Sequence, residues 1–194
     1  MYFHASQIQG IEILKPHLSE HERPLVYFST KRENVLVYLS NAVEKYCRET
    51  GFDYDGTYKK WGPYGFDAEG RQQIEEYYPE ALIETYKGVA GYIYSAKTIE
   101  PADIEIRIPD AAVSEREVKT VHCEYIPDAY EALLAAQAAG MIRLVRYDEW
   151  IAGRKEWLKK SIVEEYQEYQ KAGAHPEYLH FLKGKFGNIL REFV

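Results

Sequence analysis

Cysteine is scarce in this chain: 194 residues carry only Cys47 and Cys123. That excludes the disulfide framework of a small secreted scaffold. The two fall in segments read as a helix and a strand, where buried free thiols are expected. Positive charge is also in deficit. Lys and Arg number 24 against 31 Asp and Glu, a net charge of −7, which argues against a nucleic-acid partner because phosphate binding needs clustered cations. No apolar run approaches the roughly eighteen residues of a membrane span, so no membrane partner is expected. The first residues show neither the basic region nor the long apolar stretch of a secretory signal, and a cytoplasmic location is expected. Nor is there a Gly-x-Gly-x-x-Gly turn to cradle phosphates.

Tyrosine, by contrast, is abundant, with 18 residues, and two strand-like pieces near the N-terminus each carry a polar ring. Tyr2-Phe3-His4-Ala5-Ser6 is one and Leu25-Val26-Tyr27-Phe28-Ser29-Thr30 the other. Alternation puts Tyr2 with His4, and Leu25 with Tyr27 and Ser29, so that His4 and Tyr27 are expected to meet in one cleft. A terminal surface histidine and an ordinary strand tyrosine fit the same pattern. A third piece, Val121-His122-Cys123-Glu124-Tyr125-Ile126, places Glu124 on the face of His122, either at a cleft or as a solvated edge carboxylate.

In this order the three pieces resemble the motifs of the ADP-ribosyltransferase superfamily, in its His-Tyr-Glu branch. The first two are also similar to those of the small bacterial rifamycin-modifying transferases. Ala5 stands where the family has Gly, which leaves the backbone less free to approach a ligand. The resemblance covers roughly residues 1–147. It implies an α+β fold of split, largely antiparallel sheets around a cleft, with NAD as substrate and no metal. It further implies that Glu124 stabilises the developing ribosyl charge, that His4 bonds the ribose, that Tyr27 stacks on the nicotinamide, and that Ala5, Ser6 and Ser29 lie beside the dinucleotide. The acceptor is not indicated. A second function fits the same resemblance: an inactive module that binds a nucleotide or a protein.

Ser6-Gln7-Ile8-Gln9 reads as a weak capping box opening a helical turn with Ile8, Ile11 and Leu14 on its apolar side. His17 and His21 stand four apart, but prolines at 16 and 24 favour a solvated loop over a metal site. Thr30-Lys31-Arg32-Glu33 is a cleaner capping box. It predicts a helix with Leu36, Leu39, Val43 and Tyr46 as its stripe and Gly51 as its stop, and its amides would offer an anion site beside Tyr27 and Ser29. Between Gly51 and Gly70 five glycines alternate with Phe52, Tyr54, Tyr58, Trp61, Tyr64 and Phe66. Asp53, Asp55, Lys59 and Lys60 are interspersed, and the segment fits either a ring-pinned surface loop or a lid.

Further along, Arg71 to Tyr86 reads as helix broken near Pro79. Strands are expected at Val89 to Ser95, Asp103 to Pro109, Glu117 to Ile126 and Met141 to Arg146. Asp128 should cap a helix over Ala129 to Ala139, stopped by Gly140. From Asp148 the pattern changes to two apolar stripes: Ile151, Leu158, Ile162, Tyr166 and Tyr169, then Tyr178, Leu182, Phe186, Ile189 and Phe193. Gly173 and Pro176 separate them, as in a helical hairpin. Its eight acidic and eight basic residues cancel, so the entire −7 lies on residues 1–147. Two domains follow, a transferase-like 1–147 and a helical 148–194 that covers the core or builds a homodimer contact.

Overall fold

The N-terminal alternation becomes the middle of an antiparallel sheet in the computed structural model, which describes residues 1–18, 23–54 and 61–191. The strands are β1 (Tyr2–Ser6), β2 (Ile13–Leu14), β3 (His17–Leu18), β4 (Pro24–Ser29), β5 (Tyr64–Phe66), β6 (Gln72–Glu75), β7 (Gly91–Ala96), β8 (Ala111–Ser114), β9 (Val118–Lys119), β10 (His122–Ile126) and β11 (Arg143–Val145). The largest sheet runs β10-β7-β1-β4-β3, with β8 also on β4. A second has the order β11-β6-β5, and β2 pairs with β9. The fold is mixed α+β with antiparallel sheets and a C-terminal pair of helices.

Two compact units divide the chain. The first takes residues 1–39, 64–73 and 87–144, the second 40–63, 74–86 and 145–194. A boundary at 147 is therefore not what forms: the C-terminal helices share a unit with two earlier segments.

In the first unit, Leu14, Val26, Phe28, Tyr94, Ala96 and Val118 close one face of the large sheet. Burying each larger apolar side chain contributes about 1.5–3 kcal/mol. A 3-10 helix, Glu33–Tyr38, packs on β1, and on α3 (Ala129–Ala138). Asp128 caps α3 as expected, accepting from the amides of Tyr130 at 2.9 Å and Glu131 at 3.3 Å.

The second unit gathers α1 (Ala42–Thr50), α2 (Ala81–Tyr86), α4 (Tyr147–Trp150), α5 (Lys155–Ala172) and α6 (Pro176–Leu190). Leu158, Ile162 and Tyr166 of α5 and Tyr178, Leu182 and Phe186 of α6 are buried with Val43, Cys47 and Trp61. The expected hairpin is present, with Gly173 at φ 63° closing α5 and Pro176 opening α6. Its stripes are buried within this unit, so the core-covering role is the one the packing supports. Phe193 lies outside the described residues. No helix among the described residues is long and apolar enough to cross a membrane.

Several local expectations fail for identifiable reasons. Ser6 Oγ accepts from the Ile8 amide at 3.1 Å, but only a bend follows, and Ile8 is exposed. The Thr30 capping box does not form. Thr30 donates to Asp110 instead, its amide to the carbonyl oxygen at 2.8 Å and its hydroxyl to Oδ1 at 3.3 Å. A short 3-10 helix replaces the first turns, and the α-helix begins only at Ala42. Gly51 does stop it, at φ 68°.

Residues 71–78 form a strand rather than a helix: exposure alternates strictly, with Gln72, Ile74, Glu76 and Tyr78 buried. Only α2 is helical there. Asp103 to Pro109 is not a strand despite its alternation, and pairing begins at β8. Glu117 to Ile126 breaks into β9 and β10. Cys47 is buried but Cys123 is exposed, both as free thiols.

Two glycines of α6 should respond to alanine with opposite signs. Gly184 lies against the Tyr46 ring, and an added Cβ would overlap its hydroxyl and Cζ, whereas Gly187 has open space. Gly184→Ala is expected to destabilise by about 1–3 kcal/mol through overpacking. Gly187→Ala should stabilise by about 0.5–1 kcal/mol through helix propensity. Denaturant midpoints of the two variants check the signs.

Candidate functional site

Strand register decides which candidate side chains share a face, because directly opposed residues point the same way. Phe3 lies opposite Ser29 on β4, while His4 and Ala5 lie opposite Tyr94 and Ile93 on β7. Cys123 and Glu124 in turn lie opposite Tyr94 and Ile93. One face therefore carries Tyr2, His4, Phe28, Tyr94 and Cys123. The other carries Ala5, Tyr27, Ser29, Ile93 and Glu124.

The rings of His4 and Tyr27 thus point to opposite faces, and the expectation that they meet in one cleft is not met. His4 Nδ1 instead donates to the backbone carbonyl of Tyr27 at 2.9 Å. Its ring sits 6.0 Å from that of Phe28. Burial pushes the His4 imidazole below its ordinary pKa, against the raising effect of that hydrogen bond, with His17 adding a smaller lowering. A neutral ring donating through Nδ1 ties β1 to β4 from behind the site. Ala5 is buried and Ser6 is held by the Ile8 amide, which leaves His4, Ala5 and Ser6 as support for the sheet.

Tyr27 and Ser29 open on a cleft of about 360 Å³ within the first unit, its mouth included, lined also by Asn34, Tyr38, Tyr64, Phe66, Gln72, Ile108 and Pro109. That is the lower end of the range for small-molecule sites. The Tyr38 and Tyr64 hydroxyls are hydrogen-bonded at 2.9 Å, with their rings edge to face. Tyr64 and Phe66 also meet edge to face. Ser29 Oγ accepts from the Lys31 amide at 3.1 Å, closing the turn out of β4. The anion site expected at an α-helix start here is replaced by that turn and the short 3-10 helix.

Glu124 lies three strands from Tyr27, about 14 Å at ordinary strand spacing. Arg32, just beyond β4, reaches it: Nε donates to Oε2 at 2.8 Å and Nη2 to Oε1 at 2.6 Å. This fork holds the Glu124 carboxyl below the usual carboxylate range, against partial burial, with further help from the Arg32 charge and from His122. The same bonds raise Arg32. The side chains are 32% and 39% exposed, so solvent screens the pair and its stabilisation is small. A depressed folded value means that this contribution is present above the unfolded carboxylate pKa and lost as pH falls through the folded one. Arg32→Met should accordingly move the Glu124 titration upward, as carboxyl-carbon NMR across the acid range will show.

Arg32 had been read only as part of a cap, since nothing local marks a partner 92 positions away. The aromatic segment from Gly51 to Gly70 divides: Tyr64 and Phe66 line the cleft, whereas Trp61 is buried in the second unit's core, with Phe52 and Tyr54 against it. Asp55, Tyr58, Lys59 and Lys60 lie outside the described residues, as does His21. His17 is exposed on β3. No protein-family model, no curated protein and no solved structure matches this chain.

Proposed function

We propose that the first unit is an ADP-ribosyltransferase-like domain that transfers ADP-ribose from NAD to an acceptor its cleft does not specify. The observation that carries this reading is that Tyr27 and Ser29 line an aromatic cleft on the sheet face that also presents Glu124, an ionised carboxylate. The short sequence motifs supply the family. In the reaction the bond from nicotinamide to ribose C1′ breaks and its electron pair leaves with the nicotinamide. The acceptor bonds C1′ and gives up a proton. Positive charge gathers on the ribose in between, and a preoriented carboxylate stabilises it, more strongly where water is excluded.

Glu124 is the catalytic residue of this reading, and it must exchange one Arg32 hydrogen bond for the ribose. Tyr27 offers a ring face to the nicotinamide, and Ser29 stands beside it. His4 is a positioning residue that holds the Tyr27 backbone rather than the sugar.

A second reading has its own support. Arg32 occupies both Glu124 oxygens, which suits a module that binds a nucleotide or a protein without turnover. Incubating the protein with NAD while measuring both nicotinamide release and NAD binding separates the two. Release above the protein-free blank is expected. Binding without release leaves the module, and the absence of both removes NAD from consideration.

A further inference from the structure

The floor of the cleft contains a polar atom that the fold does not use. Gln72 is 2% exposed on β6. Its Nε2 donates to the Asn34 carbonyl at 3.2 Å, which orients the amide. Its Oε1 has no hydrogen-bond partner among the described residues. A buried amide oxygen left without a donor costs about 1–3 kcal/mol, so an acceptor kept at the base of a concave site marks a place for an incoming donor.

The walls narrow the chemistry of that donor. Tyr27, Tyr38, Tyr64 and Phe66 give flat, apolar ring surfaces, and Ile108 and Pro109 add apolar lining. None of the lining residues is an acid or a base, so an ionic ligand would find no counter-charge in the lining. The Tyr38 and Tyr64 rings stand nearly perpendicular, at 80°, the geometry of an aromatic corner that accepts the edge or face of another ring.

We infer that this cleft binds a flat, uncharged heteroaromatic ring bearing an N–H donor on one edge, with Gln72 Oε1 accepting that hydrogen as the specificity-determining contact. Neither strand alternation nor the transferase resemblance points to Gln72. The inference rests on the proposed cleft being a ligand site but does not require transfer chemistry. An aromatic carboxamide such as nicotinamide and an aminopurine such as adenine present the same donor edge, and the experiment tells them apart.

Wild-type protein is titrated calorimetrically with two pairs of neutral rings: nicotinamide against 3-acetylpyridine, where a methyl replaces the amino group, and adenine against purine. One pair should show the donor ring bound about tenfold more tightly, the effect of one neutral hydrogen bond to a buried acceptor, and which pair does so identifies the ring. Gln72→Met, close in size and without the acceptor, should bind both members of that pair equally. Equal binding within both pairs by wild type overturns the inference without recourse to any variant. So does a failure of all four to bind at millimolar concentration, or a preference that survives in a folded Gln72→Met. The outcome is separable from that for NAD cleavage. A donor preference without nicotinamide release refutes the transfer reaction alone, and release without a donor preference refutes only the role of Gln72.

Discussion

Glu124→Gln is expected to lower nicotinamide release from NAD by a hundredfold to a thousandfold, the largest effect on activity of any single change proposed for this protein. The substitution keeps size and one acceptor oxygen but removes the negative charge that would face the ribose as its C1′–N bond breaks. Losing one preorganised electrostatic contact in an enclosed site costs about 2.7–4 kcal/mol of transition-state stabilisation. NAD affinity should change far less, because Tyr27 and Ser29 in the cleft are untouched. Stability should hardly move either, since the Arg32 partner is 32% exposed on its side chain and water can solvate it once the carboxylate is gone. The reduction should therefore appear in kcat with KM nearly constant, the signature of an interaction made in the transition state. If wild type releases nicotinamide and Glu124→Gln matches its rate, the carboxylate has no catalytic part.

Glu76→Ala should cause the largest loss of stability, about 3–5 kcal/mol, and it should do so in the second unit. Glu76 is 3% exposed. Its Oε1 accepts from the Leu82 amide at 3.2 Å and from Arg146 Nη1 at 3.2 Å. Its Oε2 accepts from the Tyr147 amide at 2.9 Å. A single carboxylate thereby serves an amide in the first turn of α2, the amide that opens α4 and a half-buried guanidinium. Removing one partner of a buried charge pair is far costlier than the pair itself is worth, because the remaining charge and amides stay desolvated.

Exposed ion pairs in the same chain provide the contrast. Glu105, paired with Arg107 at 3.3 Å, is 75% exposed on its side chain, and Glu105→Ala should stay within about 0.5 kcal/mol of wild type. Denaturant unfolding of both variants, followed by tryptophan fluorescence, makes the comparison; all three tryptophans, Trp61, Trp150 and Trp157, belong to the second unit. An effect at Glu76 no larger than that at Glu105 would show that those amides find other partners.

What the sequence determined by itself is local. Alternation placed β1, β4 and β10 near their observed limits, Asp128 capped α3, and Gly51, Gly173 and Pro176 bounded their helices. Each of these depends on backbone geometry or side chains within a few residues. The sequence also put His122 and Glu124 on one strand face, since that parity is internal to a strand.

What only the tertiary structure decided is every relation between distant segments. Parity within a strand does not reveal which faces of two strands coincide. The Phe3 to Ser29 register did so, and it turned the His4 ring away from Tyr27. The Thr30 cap lost to Asp110, a competitor 80 residues away. Residues 71–78 became extended because burial on a strand outweighed a weak helical propensity. The clearest cases are Arg32, Gln72 and Glu76. Their side chains are ordinary in the sequence, and their roles come from partners that folding alone brings within hydrogen-bonding distance.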